Sequence, residues 1–405
     1  MTFATTHEII CGDSRKMDAL KDDSIDLVVT SPPYPMISMW DGLFSDLNPE
    51  IIECIDTDGQ RAFEMMHREL DRTWAELERV VKPGGIVCIN IGDATRKIGE
   101  TFSIYPNHSR ITAKMMELGF EPLPELIWHK QTNAPNKFMG SGMLPGGAYV
   151  TLEHEYILIF RKSGKRDFKG PDKELRQNSA YFWEERNEWF SDIWDFKGEK
   201  QSIRSDARDR SAAFPCELPK RLILMYSLLG DTVLDPFFGT GTTTKAAMIF
   251  GRNSVGYEIS QEMIGSSKKD IVRTAEEYPA ANLSRLERHL RFVEERIASG
   301  KEVKHINANY GIPVMTSQEE NILLYGIQRV EDEGARILVE YSPIAFDADR
   351  QSPVLKGYAN ARRMNQTRLF RSLQFVYVDL DAILLLFIED HLHIDPLPQH
   401  VLGLV

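Results

Sequence analysis

Thr232-Val233-Leu234-Asp235-Pro236-Phe237-Phe238-Gly239-Thr240-Gly241-Thr242-Thr243 reads as a buried strand that hands over, through a glycine turn, to a helix. Glycines at such a handover let a ligand approach the backbone where a Cβ would clash. No Gly-Lys-Ser/Thr follows, so the turn is not a phosphate P-loop. Thr244 stands where a dinucleotide fingerprint needs its third glycine. On the glycines alone, a nucleotide site and a plain tight turn both stay open. Asp235 and Phe237 favour a cofactor with a cationic centre and an adenine ring, as in S-adenosylmethionine. Glu258 ends the next strand, at about the spacing that puts a carboxylate on ribose hydroxyls.

Outward from this turn, short apolar, β-branched runs alternate with helical patterns. The runs are Ile25–Thr30, Ile86–Ile91, Leu126–His129, Tyr156–Arg161 and Ser254–Glu258. That alternation predicts an α/β fold, doubly wound about a largely parallel sheet. Phe63, Met66, Leu70, Trp74, Leu77 and Val81 recur at helical spacing, and Lys82-Pro83-Gly84-Gly85 should end that helix. A second helix is expected from Leu218-Pro219 to Gly230, carrying Leu222, Met225 and Leu229.

From Gly164 to Arg210 periodicity fails, although Phe168, Tyr181, Phe182, Trp183, Trp189, Phe190, Trp194 and Phe196 argue against disorder. Such a long irregular insertion is usually functional. Residues 1–275 are therefore expected to form one domain that carries the insertion 164–210. Residues 276–405, with a helix through Leu286, Leu290, Val293 and Ile297, read as a second small domain or extension.

Composition excludes several classes. The longest apolar run, Ala382 to Ile388, is too short to span a bilayer, and residues 1–8 lack a secretory signal pattern. Cys11, Cys54, Cys88 and Cys216 are scattered without CxxC spacing. That argues against a disulfide framework or a zinc site and fits a cytoplasmic protein. Neither His129 nor His154 has metal-ligand spacing, so no metal is expected. The net charge of −12 is unusual for a nucleic-acid partner, but a binding face is local. Two basic stretches could supply one. The first holds Arg161, Lys162, Lys165 and Arg166, and the second Arg362, Arg363 and Arg368; a solvated helix face or loop explains either equally well.

Ser31-Pro32-Pro33-Tyr34 follows the run Ile25–Thr30, at the carboxyl end of a strand, where ligands bind in open α/β sheets. Two prolines remove two N–H donors and leave carbonyls free to accept from an amine. Ser31 adds an acceptor and Tyr34 a flat face for a base. A proline turn would explain the prolines but not their pairing with the glycine turn.

The combination resembles the permuted, beta-class DNA amino-methyltransferases, in which Ser/Asp-Pro-Pro-Tyr precedes Phe-x-Gly-x-Gly. Residues 7–265 carry the likeness through Gly12-Asp13, Leu77 to Gly85, Ile127 to Lys130, His154 to Ile157, and Ala213-Phe214-Pro215 ahead of Leu218 to Leu222. The resemblance implies S-adenosylmethionine as cofactor. Phe237, Gly239, Gly241 and Thr242 would sit at its methionine end beside Asp235. Glu258 would take the ribose, Asp13 the adenine side, and Phe214 and Pro215 would close the pocket. Arg210-Ser211 departs from the His-Pro pair of many relatives, which puts contacts there in doubt. The resemblance implies that residues 1–275 are the methyltransferase catalytic domain, that the insertion 164–210 falls where this class carries its target-recognition region, and that 276–405 has a DNA-contact or dimerisation role.

The likeness implies a flipped base and direct methyl transfer to its exocyclic amine. Ser31 and the Pro32 carbonyl would hold the amine while Tyr34 stacks. Serine rather than Asp or Asn at the first position points to N4 of cytosine over N6 of adenine. Cys216, in a Pro-Cys pair that imitates a covalent nucleophile, is expected to be inert. Methylation of RNA or a protein amide fits the motif order less well, and a relic fold would not keep both motifs. Duplex DNA is thus the expected partner. The class also leaves room for a homodimer and a cognate restriction endonuclease, in a prokaryotic cytoplasm, next to the nucleoid.

Overall fold

The computed structural model describes residues 2–130, 139–198, 214–277 and 281–346. Among them, eleven strands form one sheet: β1 (Phe3–Cys11), β2 (Ile25–Thr30), β3 (Val81–Ile91), β4 (Phe120–Pro122), β5 (Leu126–His129), β6 (His154–Lys162), β7 (Ile193–Asp195), β8 (Thr232–Asp235), β9 (Asn253–Glu258), β10 (Tyr325–Asp332) and β11 (Arg336–Pro343). Their order is β7-β5-β6-β3-β2-β8-β9-β1-β11-β10, with β4 beside β6. The five central strands, β3 to β1, are parallel. The helices that bear on the site are α1 (Gly59–Val80), α2 (Pro171–Asn178), α3 (Trp183–Trp189), α4 (Glu217–Tyr226), α5 (Thr242–Ile249), α6 (Gln261–Glu277) and α7 (Leu283–Ala298).

Successive residues of β2 point to opposite faces, and each face buries a different helix set. Val28 packs with Phe63, Met66, Leu70, Trp74 and Leu77 of α1. Leu27 and Val29 pack with Leu218 and Leu222 of α4 and Ala246 and Ala247 of α5. Each fully buried aliphatic side chain contributes about 1.5–3 kcal/mol, so both helix layers are fixed by apolar burial. The β2-α1-β3 and β8-α5-β9 crossovers therefore leave adjacent strands in opposite directions on opposite faces. The point where the winding reverses falls between β2 and β8. This is the doubly wound sheet expected from the sequence.

Details differ from the expectation. Helix α1 ends at Val80 with its Asp58 cap at the far end, and Lys82–Gly85 lies inside β3. Ile25 pairs with Val81 but Leu27 with Ile86, so these residues form an irregularity in a continuing strand rather than a stop. Helix α4 ends at Tyr226, short of Gly230.

The stretch from 164 to 198 is ordered as α2, α3 and β7. Two short helices of 8 and 7 residues are too brief to show sustained periodicity. The aromatics there build core: Phe182, Trp189 and Trp194 are buried, and Trp194 pairs across β7–β5 with Trp128. From the C-terminal region, β11 pairs antiparallel with β1, so β10 and β11 extend the same sheet. No helix of the described residues is long and apolar enough to cross a membrane. Ala382 to Ile388 and Arg210-Ser211 lie outside the described residues.

Candidate active site

The switch point gathers the carboxyl ends of β2, β8, β9 and β1. Thr30, the last residue of β2, donates its hydroxyl proton to Asp235 Oδ1 at 2.7 Å, and the Phe237 N–H donates to the same oxygen at 3.1 Å. This clip sets Ser31-Pro32-Pro33-Tyr34 directly beside the glycine turn. Asp235 is 3% exposed, and burial raises its carboxyl to about 6. Next along the sheet, Glu258 accepts the Gly239 N–H at 3.1 Å through one oxygen and the Ser260 N–H at 2.9 Å through the other. The Gly12 N–H donates to the Glu258 carbonyl at 2.9 Å, which brings Asp13 to the same rim. Asp13 is held by Arg15, itself paired with Glu69.

These residues fit S-adenosylmethionine. Gly239 has φ +51°, and a Cβ there would meet only the Phe237 carbonyl at 3.8 Å, so this side of the turn is open to a ligand. Gly241 has φ +72°, and its missing Cβ would strike Phe238 and Ile271 at 2.7 Å, so it serves the packing of the turn. Asp235 lacks a basic partner among the described residues, and a cationic centre nearby would favour its ionised form. Phe237 packs edge-on to the buried Trp74, with centroids 6.0 Å apart, and Trp74 Nε1 has no hydrogen-bond partner among the described residues. Thr242 opens α5, its hydroxyl 3.2 Å from that of Thr240. Phe214 and Pro215 are buried, but Phe214 packs with Leu27, Val29 and Leu218 on the α4 face.

Beside the turn, a hydrogen-bonded chain runs inward from Ser31. Its hydroxyl donates to Tyr34 OH at 3.0 Å, and Tyr34 OH donates to Glu155 Oε2 at 3.0 Å. Asn90 Nδ2 donates to Tyr34 OH at 2.9 Å and to Glu155 Oε2 at 2.7 Å. Lys130 pairs with the other carboxylate oxygen and lies over the Trp128 ring at 4.8 Å. Tyr34 is 8% exposed, and a Cβ on Gly92 would lie 3.1 Å from its ring, so the backbone passes close against the tyrosine. Burial, then the Glu155 charge, keep the Tyr34 hydroxyl protonated well above its ordinary range. Asn90 marks no motif in the sequence. Glu155 and Lys130 belong to segments of the family likeness, but only the β3–β6 pairing reveals what they touch.

The basic residues are not brought to this rim. β6 begins at the active-site edge and runs antiparallel to β3, so a rise of about 3.3 Å per residue carries Arg161 about 20 Å from Glu155. There Arg161 pairs with Glu121, Lys162 with Asp23, and Arg166 with Asp231 and Asp26. Lys165 is exposed on the same far edge. Their charges are answered by acids at this end of the sheet, Glu121 in β4 and Asp23, Asp26 and Asp231 at the starts of β2 and β8. Arg362, Arg363 and Arg368 lie outside the described residues. Cys216 is half-buried against the α4 core, ahead of that helix.

Comparison with known proteins agrees with this arrangement. The pattern that defines the family described as DNA methylase, of the N6/N4 type, matches residues 25–269. The Type II methyltransferase M.MthZI of Methanothermobacter thermautotrophicus is 52% identical over 329 residues, covering 79% of this chain and 90% of that protein. M.MjaI of Methanocaldococcus jannaschii, also a Type II methyltransferase, is 52% identical over 288 residues, or 66% of this chain and 94% of its own. Among solved structures, the Thermus thermophilus protein TTHA0409, in complex with S-adenosyl-L-methionine, superposes with a TM-score of 0.51. It is 34% identical and covers 66% of this chain and 95% of its own.

Proposed function

This chain belongs to the N6/N4 DNA methylase family and is an S-adenosylmethionine-dependent DNA amino-methyltransferase, and we propose that its target is the N4 amine of cytosine in duplex DNA. The observation that carries the reading is Ser31, a hydroxyl where a carboxylate or amide could head the motif, seated beside the cofactor turn by the Thr30–Asp235 clip. S-adenosylmethionine, when bound, supplies an electrophilic methyl carbon on sulfur. Asp235, Gly239, Thr242 and Glu258 would hold it, with Asp13 at the adenine side.

An amine conjugated to a pyrimidine is a weak nucleophile, and in a duplex it is also paired and stacked. The target base therefore leaves the helix. Ser31 Oγ and the Pro32 carbonyl accept the two amine hydrogens and turn the nitrogen lone pair towards the methyl carbon. Tyr34, held by Gly92 and three hydrogen bonds, gives the ring a preset surface. With the cofactor bound, the nitrogen would bond to the methyl carbon as the carbon–sulfur bond breaks, sulfur keeping the electron pair, and the amine proton held by Ser31 Oγ would pass on to water. Catalysis rests on positioning and on acceptors aimed at a nitrogen that becomes cationic. No cysteine adduct enters, and Cys216 keeps a packing role.

Both Type II relatives suggest a restriction-modification setting, with an endonuclease reading the same site. Residues 276–405 are proposed to contact DNA or a second copy of the chain. The test is to methylate random-sequence duplex DNA, digest it and identify the product by mass spectrometry. N4-methylcytosine is expected. N6-methyladenine would overturn the cytosine reading, and no methylated nucleoside at all would overturn the whole.

A further inference from the structure

A serine hydroxyl has one proton and two lone pairs, so whether it accepts from an amine depends on where its own proton goes. Here that direction is set two residues away. A carboxylate can only accept, and Glu155, paired with Lys130, takes the Tyr34 proton at 3.0 Å and an Asn90 N–H at 2.7 Å. Tyr34 oxygen, its proton given away, accepts from Asn90 at 2.9 Å and from Ser31 at 3.0 Å. Each step runs one way, from Ser31 to Glu155.

We propose that Glu155 is a positioning residue that fixes the polarity of this chain, so that Ser31 presents only lone pairs to the target amine. The inference rests on the reading of Ser31 as the amine acceptor. Its physical content is that a neutral, two-faced partner at 155 would let the chain reverse. A glutamine can offer an N–H to Tyr34 OH, whose proton then turns to Ser31. The Ser31 proton is pushed out towards the amine, where two donors face each other. Asn90 favours the forward direction because its N–H groups already point at both oxygens. Lys130 favours it because its ammonium occupies the other carboxylate oxygen and leaves Oε2 to accept from the chain. The buried tyrosine, whose hydroxyl stays protonated, can serve as a link that both donates and accepts.

The test uses the full-length enzyme with unmethylated plasmid DNA and saturating S-adenosylmethionine, read as the single-turnover rate. Glu155→Gln should slow methyl transfer about a hundredfold, while the cofactor Kd and the KM for DNA stay within about twofold. In a Ser31→Ala background, Glu155→Gln should cost almost nothing more, because there is no hydroxyl left to orient. Glu155→Asp, which keeps an acceptor-only group, should recover part of the rate. A Glu155→Gln rate near wild type, or a double variant slowed by the full Glu155→Gln factor, overturns the inference. A Ser31→Ala enzyme with wild-type rate overturns instead the acceptor reading on which it rests. Should Glu155→Gln fail to fold, Tyr34→Phe cuts the same chain and keeps the ring. It should lose about tenfold, again without adding to Ser31→Ala, and additive loss would count against the inference.

Discussion

Two of the places where the chain buries ionisable side chains differ in kind: around Tyr34, where Ser31, Asn90, Glu155 and Lys130 meet, and between α3 and α7, where Glu185, Arg285, Glu184, His289 and Glu319 meet. In the second, each group is closed off by its neighbours. Glu185 takes Arg285 through two bonds of 2.7 and 2.8 Å and the Phe182 N–H at 2.9 Å. His289 stands between Glu184 and the Pro313 carbonyl, and Glu319 caps Thr316 and Trp183. In the first, the bonds run in a line that ends at Ser31, and Asn90 Oδ1 has no partner among the described residues. A closed cluster fastens one helix to another. A line with a free end aims a group at something that is absent until a substrate arrives.

Breaking the closed cluster should cost the most stability and no chemistry. Arg285→Met leaves Glu185 buried without its main partner and should lower unfolding free energy by about 3–5 kcal/mol in urea titrations. The folded fraction should still methylate at the wild-type single-turnover rate. Breaking the open line should do the reverse. Ser31→Ala is expected to slow that rate about 10²–10³-fold, or roughly 3–4 kcal/mol of barrier, with a melting temperature shifted by no more than about 2 °C.

Asp235 sharpens the contrast because it should trade one property for the other. Its carboxyl sits at about 6 against an ordinary 3.8, so the folded state disfavours the ionised form. Folding is opposed above pH 6, and the opposition fades as pH falls towards 3.8. Asp235→Asn should thus stabilise the cofactor-free protein by roughly 1–2 kcal/mol at pH 8 and by almost nothing near pH 4, read from thermal melts. The same variant should bind S-adenosylmethionine about tenfold more weakly, and wild-type affinity should drop below about pH 6, by calorimetry. The smallest effect belongs to Cys216→Ala, which should keep the methylation rate within about twofold. Abolished activity there would restore a covalent mechanism.

The strands that carry the site were legible because they are apolar, short and followed by turn residues: Ile25–Thr30 and Thr232–Asp235 match their observed limits. β1 was not. Its buried positions are Thr5 and His7, satisfied by one another and by Ser254 and Tyr341 from distant strands, so its inward face looks polar in sequence. The two motif segments were readable for the same reason as the strands, since glycine and proline announce themselves locally. Glu155 and Asn90 act through partners 121 and 56 residues away, and only the strand order brings them to Tyr34. The basic run near Arg161 shows its charge in the sequence, while the acids that face it, Asp23, Glu121 and Asp231, are brought there only by the fold.

The clip between Thr30 and Asp235 joins residues 205 apart across adjacent parallel strands. A ribosome that has released the first half of the chain has made the amine-holding segment and none of the cofactor turn. The sheet cannot close its centre until β8 arrives, so assembly waits on contacts of high sequence separation and should be slow. Every molecule therefore passes through synthesis catalytically silent and becomes competent late, when its two motif segments meet.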